Sequence, residues 1–474
     1  MAGIMTPSMC VIGAGPGGLA AATEAARYGA SVVLVEHHRI GGESLSYGCI
    51  PSKALIAAAR RAQAMRDAGK FGLRPVEPEI NHRLVHEHVQ GVITGILPNM
   101  SPERLAGLGV EFVAGAARFK DRGTVLAGDA EIRARRFIIA TGSSPATPPI
   151  PGIERVPYYT NQTIFGINYR MGHLVVLGGT QVGLELAQAY RRLGSEVTVL
   201  EVGSLLPEFD AEMSALAVQR LREEGVRILE KARVERLEQL GQNVQVVFTK
   251  DGRSYSIDGT HLLISTGRRP NVEGLNLEAA GVKFDRDGIS VSRRMKTSNP
   301  RIYAIGDVTG SMTFTHTATH QAGIAVRNAM LRLPLGSNEA GIARAAFVEP
   351  ELAQVGLTED EARKSHQRLR ILRWPYLEND RARTERSTEG FLKIVATANG
   401  RILGAGAVGP QASEVIQLWS LAMQHGVTIR SMADYAAVYP SLTEINKKAA
   451  SAYFLPSLAN PMLRRLVAWL ERLG

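Results

Sequence analysis

Short unbroken apolar runs, each closing at a glycine or an acid, recur along the chain and predict strands buried on both faces. In CVIGAGPGGLAAATEAARYGASVVLVE (Cys10–Glu36) the order is strand, glycine turn, helix, second strand. HLVVLGGTQVGLELAQAYRRLGSEVTVLE (His173–Glu201) repeats it. FIIATGSSP (Phe137–Pro145) and LLISTGRRPN (Leu262–Asn271) are apolar strands ending in Thr-Gly turns, where the chain passes between domains. YAIGDV (Tyr303–Val308) is a further buried strand, and it ends by presenting Asp307. Strands and helices alternating in this way predict an α/β chain with parallel sheets. The C-terminal stretch LPSLANPMLRRLVAWLERLG reads differently: Leu463, Leu466, Val467, Leu470 and Leu473 recur at helical spacing, with Arg464, Arg465, Glu471 and Arg472 opposite. Such a helix either covers a core or lies in a membrane interface with Trp469 at its edge.

At 474 residues the chain is long enough for about three domains. An apolar content of 45%, a charged content of 21% and 48 glycines fit a globular α/β protein and give no reason to expect disorder. The balance is basic, 55 Lys and Arg against 45 Asp and Glu. Without a block of like charge or a zinc-finger or RNA-binding signature, a nucleic-acid partner is not expected. No residue cluster suggests a metal site. The only cysteines are Cys10 and Cys49, which excludes a disulfide framework and fits a reducing cytoplasm. The opening MAGIMTPSM lacks the features of a signal peptide, and no run approaches the length of a membrane span, so a cytoplasmic location is expected.

The glycine turns carry the first chemistry. Gly13, Gly15 and Gly18 have the spacing that gives a tight turn, close approach of a pyrophosphate and close helix packing, with phosphates facing the helix N-terminus. Glu36 closes the second strand where an acid accepts hydrogen bonds from a ribose. In the second unit Gly178 and Gly183 hold the outer positions, while Thr180 stands in the middle and is expected to crowd the pyrophosphate. Glu201 is followed by Val202, Gly203 and Ser204, with no cation to receive a 2′-phosphate, which favours NADH over NADPH. Asp307 lies at the carboxyl end of its strand, where parallel sheets bind ligands.

With these loops, GCIPSK (48–53), both Thr-Gly turns, Asp307, EPELAQVGLTEDEA (349–362) and YPSLTE (439–444), almost the whole chain resembles the flavin-dependent pyridine nucleotide-disulfide oxidoreductases. That family includes lipoamide dehydrogenase, glutathione reductase and mercuric reductase. The resemblance implies two Rossmann-like dinucleotide-binding domains, one for FAD and one for NAD, plus a C-terminal α+β dimerisation domain. The FAD domain would comprise residues 1–150 and 271–340, the NAD domain 151–270, the interface domain 341–455 and the amphipathic helix 456–474. FAD would lie against the first glycine loop, with Glu36 on its ribose and Asp307 near its ribityl chain. Gly142 and Gly267, in the Thr-Gly turns, join the expected cofactor-binding set. Lys53 would sit beside the flavin and pair with Glu185, whose alternative reading is a solvated helix position.

Two departures from the family pattern bear on function. The redox centre of the family is a pair of cysteines matching positions 44 and 49, and here the first is Ser44. Cys10, expected in the core of its βαβ unit, cannot replace it. Pro51 suits the first turn of a helix beginning near Cys49, where the helix dipole and a nearby lysine favour a nucleophilic thiolate. In the family this cysteine lies next to the flavin; an inert relic held by packing is the alternative. The second departure is Tyr439, with Pro440 and Ser441, where disulfide-reducing members carry His-Pro-Thr and a Glu corresponding to Glu444. A tyrosine, ordinarily ionising near 10, is a poor base at neutral pH.

Soluble pyridine-nucleotide transhydrogenase is similar in lacking one cysteine and carrying Tyr-Pro-Thr, although the cysteine it keeps is the other one of the pair. NDRA (379–382) and FTHTATHQAG (314–323) resemble the mercuric reductase-like branch. The C-terminal region has no cysteine to deliver a soft metal ion. The leading expectation is a homodimeric FAD enzyme that takes hydride from NADH and passes electrons to a small acceptor, a quinone or another nicotinamide. A one-thiol centre at Cys49, a nucleotide-responsive flavoprotein with little turnover, and a disulfide reductase carrying an engineered Ser44 stay open. A peripheral membrane contact through the tail would suit a quinone.

Overall fold

Met9–Ile12, the first apolar run, is the central strand of a five-stranded parallel sheet in the computed structural model. The structure describes residues 3–311, 313–458 and 460–473, without the side chains of residues 457, 458 and 473. Leu473, part of the expected apolar stripe, therefore has its side chain outside the described residues. Across the sheet the order is Ile302–Ala304, Arg136–Ile139, Met9–Ile12, Val32–Glu36, Val110–Ala114. Both faces are covered, which is why the strands read as continuous apolar runs. Met9 and Val11 face helix residues such as Ala21, Ala25 and Ile324, while Cys10 and Ile12 pack on the other side with Phe119, Val125 and Leu277. Cys10 is fully buried, as its strand pattern suggests.

The chain divides into two compact units. The first comprises Met1–Gly69, Arg74–Val202 and Ile228–Asn338. Besides the five-stranded sheet it holds a second sheet in the order Arg227–Glu230, Glu196–Glu201, His173–Leu177, His261–Ile264, parallel across its last three strands. An antiparallel meander, Arg233–Leu240, Asn243–Lys250 and Arg253–Gly259, adds to its core.

The second unit comprises Lys70–Leu73, Gly203–Arg227 and Glu339–Gly474. Its five strands are antiparallel in the order Arg344–Ala346, Glu351–Gly356, Ile402–Gly409, Phe391–Thr397, Leu369–Pro375. Fully buried Trp419 packs in this core, and its indole N–H, which would be costly to leave unpaired, donates to Asn446 at 2.7 Å. The helix Ala211–Glu223 belongs to this unit, where buried Lys393 joins Asp210 and Glu212 to the sheet.

The tail departs from one expectation. Pro461–Leu470 is a helix capped by Asn460, yet none of its residues is buried: Met462 is 76% and Trp469 56% exposed. Among the described residues its apolar stripe therefore does not cover a core. Among the described residues no helix is long and apolar enough to cross a membrane.

Candidate functional site

Both glycine turns fold alike. Gly13 and Gly178 adopt the same left-handed φ of 104°, and a Cβ on either would meet a carbonyl oxygen, Ala140 O at 2.4 Å or Ser265 O at 2.2 Å. Gly18 and Gly183 pack against those turns, where a Cβ would fall 1.8 Å from Gly13 O and 2.3 Å from Gly178 O. The acids close the loops in parallel fashion: Glu36 accepts from Ala14 N and Glu201 from Gly179 N, each at 2.7 Å. Glu36 also accepts from the amides of His37 and His38.

The two loops differ at the helix N-terminus. Pro16–Arg27 begins with Gly15, has no side-chain cap and no acid in its first turn, and a Cβ on Gly15 would meet nothing within 4 Å. That open approach to uncapped amides fits a pyrophosphate. In the second loop Thr180 caps Gln181–Arg192 by accepting from Gly183 N at 3.2 Å, and it shares a hydrogen bond with Ser265 at 2.8 Å. Its hydroxyl is thus engaged in the turn itself.

GGESLSYGCIPSK (41–53) forms a short helix, Gly42–Ser46, and then the helix Cys49–Arg66 with Pro51 in its first turn. Gly41 and Gly42 take positive φ at the entrance. Cys49 is exposed at the head of its helix, and its Sγ lies 3.6 Å from Thr315 Oγ1. Thr315, the first residue of Thr315–Leu331, donates in turn to Ser44 Oγ at 3.1 Å. Ser44 and Cys49 are therefore joined through one hydroxyl, and the chain's two thiols are unpaired.

Four residues along the same helix, Lys53 Nζ donates to Glu185 Oε2 at 2.7 Å. Gln181 holds the other carboxylate oxygen at 3.0 Å. Only 1% of the Glu185 surface is exposed, so the solvated helix position weighed for it is not what the fold provides. Burial of the carboxylate is sustained by this paired cation and amide.

A second charged cluster surrounds Asp307. Ser143 Oγ donates to Asp307 Oδ2 at 2.6 Å, and Arg268 Nε donates to Ser143 Oγ at 2.7 Å. The Arg268 guanidinium also forks onto Glu43, one bond being 2.8 Å, and Asn161 donates to the same carboxylate. Burial pushes the Asp307 carboxyl above its ordinary range, against the opposing pull of Ser143 and Arg268. For Arg268 burial acts downward, yet the Glu43 bond and the charges of Glu43 and Asp307 hold it above its usual value. Gly142 and Gly267, both at positive φ, flank the paired strands Ser143–Pro145 and Arg268–Pro270.

Arg268, Glu43 and Thr315 escaped the sequence reading. Arg268 was visible inside the Thr-Gly turn motif, and Glu43 inside the glycine-flanked segment, but nothing local pairs them.

Tyr439 and Glu444 lie in the second unit. Tyr439 is 67% exposed, and its hydroxyl donates to Asp380 Oδ2 at 3.1 Å, a bond that raises the phenol above its ordinary value. Glu444 opens the helix Glu444–Ser451. Its Oε1 stands 3.6 Å from Lys448, and its buried Oε2 has no hydrogen-bond partner among the described residues. Tyr439 thus turns to Asp380, whereas an orienting contact with Glu444 is not formed. No group of three or more potential metal ligands occurs among the described residues.

Residues 7–322 match the family model described as pyridine nucleotide-disulphide oxidoreductase, and residues 342–450 match its dimerisation domain. A dihydrolipoyl dehydrogenase of Thermus scotoductus is 37% identical over 457 residues, covering 94% of this chain and 97% of that protein. A mercuric reductase of Lysinibacillus sphaericus is 32% identical over 448 residues, 94% of this chain and 82% of its own. Among solved structures, LpdA from Mycobacterium tuberculosis superposes with a TM-score of 0.86 at 29% identity, covering 94% of this chain and 99% of that one. The Cu(II) complex of the HOCl-induced flavoprotein disulfide reductase RclA from Escherichia coli gives 0.83 at 28%, with the same coverage.

Proposed function

The chain belongs to the pyridine nucleotide-disulphide oxidoreductase family, and we propose that within it the protein passes electrons to a small acceptor, a quinone or a nicotinamide, without an intrachain redox disulfide. It is an NAD(P)H-dependent flavoprotein oxidoreductase, and the family uses FAD and NAD(H). When bound, FAD supplies the redox chemistry, accepting hydride from a reduced nicotinamide and yielding electrons to an acceptor.

The chain's own residues bind and position. Gly13, Gly15, Gly18 and the open amides of Pro16–Arg27 would hold the FAD pyrophosphate, Glu36 its ribose and Asp307 its ribityl chain, with Gly142 and Gly267 shaping the approach. Gly178, Gly183 and Glu201 would hold NADH. Residues 1–150 and 271–340 are assigned to FAD, 151–270 to NAD, 341–455 to the dimer interface and 456–474 to the tail. Lys53, fixed by buried Glu185, would place a cation beside the cofactor.

The observation carrying this reading is the line Ser44–Thr315–Cys49, which contains one sulfur. Thiol exchange needs one sulfur that attacks and another that resolves. Ser44 stands where the family's first redox cysteine belongs, and Tyr439 replaces its histidine base. Hydrogen-bonded to Asp380, that phenol keeps its proton through neutral pH. NADH oxidation by FAD-replete protein with quinone, lipoamide, glutathione disulfide, peroxide and oxygen as acceptors tests the proposal. Appreciable turnover is expected with quinones and negligible turnover with disulfides.

Exposure of Cys49 favours a second reading. Peroxide would oxidise its thiol to a sulfenic acid with loss of water, and an external thiol would condense with that to a mixed disulfide, releasing a second water. A further external thiol would then displace Cys49 as thiolate. Peroxide-dependent turnover that requires added thiol would favour it.

The dimerisation-domain match supports a homodimer, checked by light scattering at micromolar concentration. The exposed face of Pro461–Leu470 supports a peripheral membrane contact. Equal sedimentation with anionic vesicles by protein with and without residues 457–474 would dismiss that contact.

A further inference from the structure

The parallel strands Met9–Ile12, Arg136–Ile139 and Ile302–Ala304 share one amino-terminal edge, opposite the edge that carries Gly13 and Asp307. A groove of about 1080 Å³ lies there, formed by the residues leading into those strands, the turn at Asp121–Thr124 and the end of the helix Thr315–Leu331. Its lining includes Arg122, Arg135, Arg136, Arg301 and Arg332. Among the described residues none of these five has a carboxylate within ion-pair distance. Arg133, also in the lining, is different, because Glu131 binds its Nε at 2.9 Å. Asp121 supplies the groove's carboxylate and turns one oxygen to Gly123 N at 2.8 Å.

Buried Asn299 anchors the backbone that carries two of these cations. Asn299, 2% exposed, donates to Arg122 O at 3.1 Å and accepts from Arg301 N at 3.0 Å, tying both loops together. It also donates to Ala280 O at 2.7 Å. Arg136 donates to Arg135 O at 3.0 Å, which fixes its side chain against the strand entrance. Guanidinium groups gathered around a concavity repel one another and focus positive potential, so an anion carrying several charges offsets the most repulsion. Their planar forks match phosphate oxygens. The lining has no aromatic ring on which a base could stack; its apolar part is Ala134, Ala329, Met330 and Pro300.

We propose that this groove binds a condensed phosphate chain of three or more phosphates, free or carried by a nucleotide, and reads the chain's charge without reading a base. The site is separate from both glycine loops and gives part of the chain's excess of 10 positive charges a specific use.

Isothermal titration of the whole FAD-replete protein, with saturating NAD⁺ present to occupy the nicotinamide site, tests this. Inorganic tripolyphosphate should bind saturably, one per chain, and ATP should match it within about tenfold, while sulfate at equal ionic strength should bind at least about a hundredfold more weakly. Arg136→Ala and Arg301→Ala should each weaken tripolyphosphate at least about tenfold, the size expected for a charge-assisted bond. NADH-dependent turnover and the unfolding temperature should not move. Arg332→Glu, at the helix end, should weaken binding even if the strand-edge variants fold poorly. No saturable binding below millimolar concentration, equal affinity in the Arg332→Glu protein, or loss of binding when NAD⁺ is added would overturn the proposal. So would tighter binding of an oligoglutamate peptide, which would make the groove a surface for an acidic protein.

Discussion

Lys53 Nζ stands 2.7 Å from the carboxylate of Glu185, which its fold buries to 1% exposure while the lysine side chain keeps 30%. The pair is therefore asymmetric: the cation can reach water and the anion cannot. Lys53→Met removes the cation that donates to the buried carboxylate, and a loss of about 3 kcal/mol is expected. Glu185→Gln removes the charge that needs burial, so it should cost less, about 1 kcal/mol. Denaturant unfolding of the two variants checks the order, and equal losses would show that burial of the charge is not what the pair sustains.

Cys10 and Cys49 should be chemically separate. Burial pushes the Cys10 thiol up to about 12, against 9.0 for an ordinary thiol, and leaves it unavailable to reagents. One thiol per chain should react with a water-soluble maleimide in the folded protein, and two after denaturation. The stability consequence follows from the sign of that shift. Below about 9 the thiol is protonated whether folded or unfolded and contributes no pH dependence. Between about 9 and 12 only the unfolded chain loses the proton, so stability should fall by about 1.4 kcal/mol per pH unit from this group. Comparison with Cys10→Ala across that range isolates the effect; identical slopes would refute it.

Ser44→Cys would put a second sulfur beside Cys49 at the place where Thr315 now bridges. The variant should form a disulfide, seen as loss of the one thiol accessible in the folded protein. Reduction of lipoamide should nevertheless stay slow, because Tyr439, bonded to Asp380, is a poor base. Robust lipoamide turnover in the single variant would show that the base is not limiting.

The local signals in the chain were the dependable ones. Gly13, Gly18, Gly178 and Gly183 announce their turns because only a missing Cβ satisfies contacts under 2.5 Å, a constraint written at each position. Strands such as Met9–Ile12 announce themselves because burial on both faces demands unbroken apolar runs. Relationships between distant segments were hidden. The Arg268–Glu43 fork joins positions 225 residues apart, and the Thr315–Ser44 bond joins positions 271 apart. Glu185 is one acid on a helix, a pattern that reads as solvated until the packing around it is seen. Thr180 illustrates a subtler limit, since a threonine in a glycine loop reads equally as an obstruction or as a cap. The tail stripe was legible as a helix, but periodicity alone does not name the surface it meets.

Glu201 should set the nicotinamide preference. Its carboxylate closes the second glycine loop through Gly179 N, and residues 202–204 carry no cation. Stopped-flow measurement should show faster reduction of the protein by NADH than by NADPH, with Glu201→Ala narrowing the gap about tenfold, the size of one lost charge-assisted bond plus relieved repulsion. Equal rates in the parent protein would remove Glu201 from that role.

The proposed route of electrons is tested most directly in Cys49→Ser by measuring NADH-dependent quinone turnover beside FAD content and single-turnover reduction by NADH. Quinone turnover within about tenfold of the parent protein is expected, a change no larger than one lost hydrogen bond allows. A variant that keeps FAD and is reduced normally by NADH, yet transfers electrons to no acceptor, would contradict the proposal and make Cys49 an obligatory redox group.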